Sequence, residues 1–365
     1  MLLCGIFLRA IASFYRPGVG FTRLVGFPED RAEPAALRQV PHAVSRSSYD
    51  GAFYAVRALD PLVRDPAVDR YMDSAPFRAR RVLFSWTAYV IGFGHPAWIL
   101  EAFALQNVLA WLLLAILLTR WLDLGTPRGL ALWIACLFSH GLLWSVRLSL
   151  LDGPSLVLIA AAVWAAEAQR PFLSAAMAGI AGLARETNVI AAAAIQPPSS
   201  RREWLRAVVL LVIVVAPVLI WMDYLWSIYR SGLVQVNDPL GFPGMGLVGS
   251  FRRTWQHAAA SGGWSREWLN LALVVSMAVE GLYVATHWAW RRSWWRVALG
   301  YVLLMLLLGR SLWDPHTGAI TRVLLPLTVG FNVELGRRVR GPAFWVWFAL
   351  GNLHLLAAPY VMPIF

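Results

Sequence analysis

The sequence predicts an all-α, polytopic integral membrane protein, and three observations carry that reading. Of its 365 residues, 59% are hydrophobic and only 14% charged, with a mean hydropathy of +0.58, well outside the range of soluble domains. The apolar residues recur in runs of helical length. Every basic residue is arginine, and most of the excess positive charge sits in short turns between those runs, where arginine orients helices against a bilayer. A formal charge of +12 would point to nucleic acid in a soluble chain; placed in such turns it does not, and no nucleic-acid partner is expected.

Taken in order, residues 1–14 are apolar but short and carry Arg9. They form a short or incomplete first membrane helix, and they lack the basic leader and small-residue cleavage pattern of a cleaved signal. Residues 15–96 form an outer loop with interfacial helices, and residues 97–365 a multi-helix transmembrane domain. A spanning helix needs about 20 apolar residues, which the runs 98–119, 206–228, 268–288 and 344–363 supply. The runs 129–146, 154–166, 172–184, 188–196, 294–309 and 320–335 are shorter. Clustered in the middle of the chain, they imply thinned or broken helices lining a cavity, with Arg185 and Glu186 at its rim. The total is about 10–11 membrane helices, several of them short or broken.

Arginine placement orients these runs. Arg120, Arg128, Arg170, Arg201, Arg202, Arg206, Arg291, Arg292, Arg296, Arg337, Arg338 and Arg340 fall on one side, which is the cytoplasmic one. The opposite turns hold only Arg147, Arg185, Arg310 and Arg322. The polar segment around Asp50 and the connection 230–267 then face outward. Only one crossing fits between Asp50 and Arg120, so the apolar run 82–94 lies along the outer interface, ended by Gly92, Gly94 and His95-Pro96.

Residues 49–81 are the candidate site. Asp50, Arg57, Asp60, Arg64, Asp65, Asp69, Arg70, Asp73, Arg78, Arg80 and Arg81 alternate there at a density no simple tether requires. Tyr49-Asp50-Gly51 with Phe53-Tyr54, Asp60-Pro61, the Arg-Ala-Arg-Arg entry into the next apolar run, and Leu183-Ala184-Arg185-Glu186-Thr187 after a short helix resemble bacterial membrane glycosyltransferases of the C type (GT-C). The nearest likeness is to a group linked to cell-surface glycopolymer formation. The motifs span roughly residues 48–188, and beyond them only hydropathy is shared. The resemblance implies a multi-spanning bacterial inner-membrane enzyme with its active site facing the periplasm. Such an enzyme moves a sugar from a polyprenyl-phosphate donor to a cell-envelope glycan or lipid acceptor, with an acid of the first outer loop as base. The poorly formed first helix departs from that pattern.

Inverting sugar transfer needs a carboxylate to take the acceptor proton and cations to hold the departing phosphate. Asp50 is the candidate base; a turn aspartate in Tyr-Asp-Gly is the alternative. Asp60, before Pro61, is a second candidate or a turn boundary. Arg185 and Glu186 offer a phosphate clamp and its support, or a snorkelling interface arginine with its counter-ion. Arg322 and His316 belong to another outer turn that reaches the same cavity or merely anchors the interface. Arg81, with Arg78 and Arg80, meets either lipid head groups or the donor phosphate. Glu101 near the outer end of its helix, His140 and Glu280 are intramembrane ionisable residues; a hydrogen-bonded core role suits His140 best. Gly241 to Gly249 has no phosphate-loop ending and reads as a mobile loop. Cys4 and Cys136 are packing residues, the scattered acids lack calcium-loop spacing, and no metal or other cofactor is expected. A non-catalytic scaffold and a secondary transporter or flippase are the rival classes, although no paired repeats favour a transporter.

Overall fold

A computed structural model defines residues 2–46, 49–230, 240–263, 265–313 and 318–362. Among these the chain is predominantly helical, and its strands are confined to one parallel pair of two-residue segments, Phe27–Pro28 and Val44–Ser45. Three helices are long and apolar enough to cross a membrane, or up to five if each of two bent pairs is one span.

The first helix, α1 (Leu2–Ala12), is as short as its sequence suggests, yet it is packed: Phe7 is fully buried and stacks on Trp111 at 3.8 Å. A front layer of short helices follows, α2 (Ala35–Arg38), α3 (Asp50–Arg57), α4 (Pro66–Tyr71), α5 (Ala75–Ala79) and α6 (Leu83–Ile91). It has its own core of Val25, Phe27, Leu37, Phe53, Tyr54 and Val68, closed against Ile99, Leu100 and Phe103 of α7 (Pro96–Leu118). Glu101 ties the layer down by accepting from the Phe21 backbone N–H at 2.9 Å. A side chain at Gly20, which has φ +57°, would fall on the Glu101 carboxylate, so only glycine permits this anchor.

The bundle continues with α8 (Pro127–Leu137), α9 (His140–Arg147), α10 (Asp152–Glu167), α11 (Pro171–Ala184) and a 3-10 segment, Glu186–Ala194. Helix α12 (Arg201–Tyr229) is the longest and leaves Val208, Leu211, Val212, Leu219 and Ile220 exposed along its length. An apolar face of that extent is foreign to a water-soluble surface. Its far end clasps the front layer: Trp221 donates to the Ala79 carbonyl at 2.9 Å, Tyr224 to that of Leu62 at 2.7 Å, and Tyr229 to Asp69 at 2.9 Å. Then come α13 (Met245–Ala260), α14 (Arg266–Thr286), α15 (Ser293–Leu307), α16 (Ala319–Val323), α17 (Leu325–Arg338), α18 (Pro342–Gly351) and, after a 3-10 turn, α19 (Ala358–Val361).

One short run is broken, as its length implies, and two other expectations change. The run 129–146 is two helices meeting at 43°, because Ser139 leaves the helical region and the freed Leu137 carbonyl accepts from Trp111 at 2.8 Å instead. The run 344–363 bends by 47° at Asn352, whose amide pairs with that of Asn332 at 3.0 Å in both directions. The glycine-rich stretch 241–249, expected to be a mobile loop, instead leads into α13 and supplies its first turns. Gly246, Ser250, Thr254 and Ala258, four residues apart, give α13 a small buried face.

Candidate functional site

Asp50 opens α3, and its side chain makes no cap to that helix. It points across to α5, where Arg78 Nη2 lies 2.8 Å from Asp50 Oδ1. The following glycine is needed for proximity rather than for a turn: a Cβ on Gly51 would lie 2.0 Å from the Leu148 carbonyl oxygen. That contact seats the start of α3 on the turn between α9 and α10.

Arg78 organises this side of the site. It also holds Asp73, through Nε at 2.8 Å and Nη2 at 2.6 Å, and donates to the Tyr54 hydroxyl at 3.2 Å. Burial works against its charge, but Tyr54, Asp73 and Asp50 outweigh burial and hold the guanidinium above its ordinary range. For Asp73 burial pushes upward, and the hydrogen bond and charge of Arg78 take the carboxyl below its usual 3.8.

The Tyr54 oxygen joins two arms, since Arg81 Nη1 also donates to it, at 3.4 Å. Arg81 Nε reaches Glu186 at 3.3 Å. One residue earlier, Arg185 ends α11 in extended conformation and sets its Nη1 3.0 Å from Asp152 Oδ1. The other Asp152 oxygen faces Arg322 Nη1 at 3.3 Å, and Arg322 Nη2 donates to the Tyr49 hydroxyl at 2.7 Å. The circuit thus returns to the neighbour of Asp50. Charged residues from the front layer, α10, the α11 terminus and α16 form one connected cluster.

Within it Arg185 is the least satisfied cation. Its Nε and Nη1 are buried without hydrogen-bond geometry to any described partner. Burial depresses its pKa; Asp152 opposes that, while Arg81 and Arg322 add to it. Arg80 makes no ion pair among the described residues. A buried cation short of counter-charge favours a bound anion. Asp50, by contrast, keeps 29% of its side chain exposed, and Oδ2 has no hydrogen-bond donor among the described residues.

Of the expected site residues, Asp50, Arg81, Arg185, Glu186 and Arg322 lie in this cluster. Asp60 does not: its carboxylate accepts from the Arg64 and Asp65 backbone N–H groups at 2.9 and 3.0 Å and pairs with Arg57 at 3.3 Å, anchoring its own loop. His316 lies outside the described residues. Arg185 and Glu186, expected at a cavity rim, pair with Asp152 and Arg81, and neither lines the cavities of about 440 and 500 Å³ found elsewhere among the described residues. Arg78 pairs with Asp50 and Asp73.

Sequence reasoning missed Asp152, the acid between two arginines. The signal was there: Leu151-Asp152-Gly153-Pro154 places an acid in the turn that follows Arg147.

The other flagged residues are accounted for elsewhere. His140 has both ring nitrogens occupied, by Thr321 and by Trp144, each at 3.0 Å. Glu280 is fully buried, accepts from Thr328 at 3.0 Å and lies 3.7 Å from His354. Among the described residues no group of three or more His, Cys, Asp or Glu could hold a metal ion.

Compared with protein-family models, curated proteins and solved structures, the chain matches none.

Proposed function

We propose that the chain is a GT-C-type membrane glycosyltransferase that takes a sugar from a polyprenyl-phosphate donor and passes it to a cell-envelope glycan or lipid acceptor. One observation carries this reading: a part-exposed carboxylate and four buried or largely buried arginines, from segments up to 273 positions apart, meet in a single network. Its composition suits the two demands of the chemistry, a base beside the acceptor and fixed positive charge beside the leaving group.

In the proposed step the acceptor hydroxyl gives its proton to Asp50 Oδ2 while its oxygen bonds to the anomeric carbon on the face opposite the phosphate. The bond from that carbon to the phosphate oxygen breaks, and the electron pair departs on the phosphate. Arg185, supported by Asp152, receives that charge together with Arg81, which Glu186 orients. Arg78 holds Asp50 through Oδ1 and leaves Oδ2 available.

The orientation follows from the two ends of the bundle. Away from the site, Arg292 and Arg337 pair with Glu334 and Glu167, and Arg128 and Arg338 donate to the Val339 and His287 carbonyls. With that end in the cytoplasm, the Asp50 cluster faces the outside of a bacterial inner membrane. The short α1, α11 and α15 would then join the three to five longer spans in the membrane, thinning the bilayer locally.

Asp50→Asn keeps the shape of the side chain and removes its basicity. In proteoliposomes supplied with a polyprenyl-phosphate sugar, transfer should fall on the order of 10²–10⁴-fold with an unchanged unfolding midpoint. Wild-type transfer by this variant would overturn the assignment of the base and favour a scaffold.

A further inference from the structure

A second site lies on the other side of α16. The first two turns of α14, the start of α9 and the helix at α19 enclose a cavity of about 440 Å³, within the range of small-molecule sites. Its wall is tied to the charged cluster. Trp144 donates to His140 Nε2, which leaves the proton on Nδ1 for Thr321, the neighbour of Arg322. A Cβ on Gly141 would lie 2.3 Å from the Thr321 carbonyl oxygen, so α9 and α16 are in backbone contact here.

The lining is graded along α14. At the helix start Arg266 is exposed and makes no ion pair among the described residues, and it stands beside Ser265, whose buried hydroxyl has no hydrogen-bond partner among them. Glu267, the adjacent carboxylate, is not in the lining; it accepts from Asn270 at 3.3 Å and lies 4.0 Å from His257. Further along, Leu269 and Leu273 face Ala357 in a small apolar cluster separate from the main core. A cation and free donors at one end, at the positive end of a 21-residue helix, with apolar walls beyond, match an amphiphile and not a free sugar or a bare ion.

We infer that this cavity binds a single-chain anionic amphiphile, its head at Arg266 and Ser265 and its chain between Leu269, Leu273 and Val361. Its role as the acceptor side of sugar transfer rests on the function proposed above; the binding does not.

The test uses full-length protein in phosphatidylcholine nanodiscs and a dodecyl phosphate carrying a diazirine in its chain, with labelled peptides identified by mass spectrometry. Label is expected on α14 and on residues 353–362. Narrowing the cavity by Leu273→Trp or, from the opposite wall, by Ala357→Leu should reduce that label at least tenfold, and Arg266→Gln should reduce it for the phosphate but not for the matching alcohol. Asp50→Asn should label like wild type, so a failed transfer assay leaves this result standing. Label confined to the exposed face of α12, label insensitive to both narrowing variants, or displacement by millimolar inorganic phosphate alone would each overturn the inference.

Discussion

Asp152 and Glu167 are the first and last residues of α10, roughly 22 Å apart along the helix axis, and the arginines around them behave in opposite ways. Asp152 has 5% of its side chain exposed and is held between Arg185 and Arg322, at 16% and 4%. Glu167 has 30% exposed and meets Arg337, at 28%, across 3.5 Å. Exposed pairs of the second kind contribute little and need no further purpose. Pairs of the first kind carry a desolvation penalty that packed apolar residues would avoid. The contrast teaches where to look for function: arginines at the Glu167 end serve placement, whereas those at the Asp152 end are retained at a cost to stability that a bound anion would offset.

The sharpest challenge to this contrast is Arg78→Ala. The substitution removes the cation shared by Asp50 and Asp73 and leaves Tyr54 with one donor fewer. Breaking a buried pair by removing one partner costs about 3–5 kcal/mol; the lower figure is expected, because both carboxylates reach solvent. Thermal unfolding in detergent would show it as a drop of several degrees. A change too small to measure would mean that the Asp50 end is no more integrated than the Glu167 end.

Acid should reveal the same difference more gently. The folded Asp73 has a pKa below its usual 3.8, so its contribution is complete above that value and disappears as pH falls through the folded pKa. The unfolding midpoint should therefore be insensitive to Asp73 above about pH 5 and decline below the ordinary aspartate range. In Asp73→Asn that acid limb should be shallower. An identical acid limb in both proteins would remove Asp73 from the network's electrostatics.

Much of the cluster was legible because a charged side chain among apolar runs is conspicuous. Asp50, Arg185 and Arg322 stand out for that reason, and arginine asymmetry placed them on one side. Their partners were harder to read. Hydropathy reports what each segment does with respect to solvent, whereas the bond from Arg322 to Asp152 joins positions 170 apart. Nothing local separates the buried Arg78 from the half-buried Arg80 two residues on. The bends at Ser139 and Asn352 depend on hydrogen bonds from Trp111 and Asn332, so no local apolar count could locate them. Helix α13 was hidden by glycines whose packing role appears only against its neighbours.

The smallest effect is expected at the far end, from Arg337→Gln. Arg337 lies 3.5 Å from both Glu167 and Glu334, so a tally of ion pairs would rank it with Arg78. Geometry and exposure argue otherwise. Glu167 keeps a 2.6 Å hydrogen bond from Trp121, and the buried Glu334 keeps Arg292 at 3.2 Å, so the substitution strands neither carboxylate. What is lost is two long contacts, one to the part-exposed Glu167 and one to the buried Glu334, and because both acids keep a shorter partner the loss is held to about 1 kcal/mol. That loss should shrink further as salt rises, because exposed charges are screened within about 10 Å at 0.1 M. Unfolding midpoints of Arg78→Ala and Arg337→Gln, taken at low and high salt, therefore form a matched pair: the first shift should be large and persist in salt, the second small and erased by it. A large, salt-resistant shift for Arg337→Gln would make the two ends equivalent and remove the energetic argument for placing the site around Asp152.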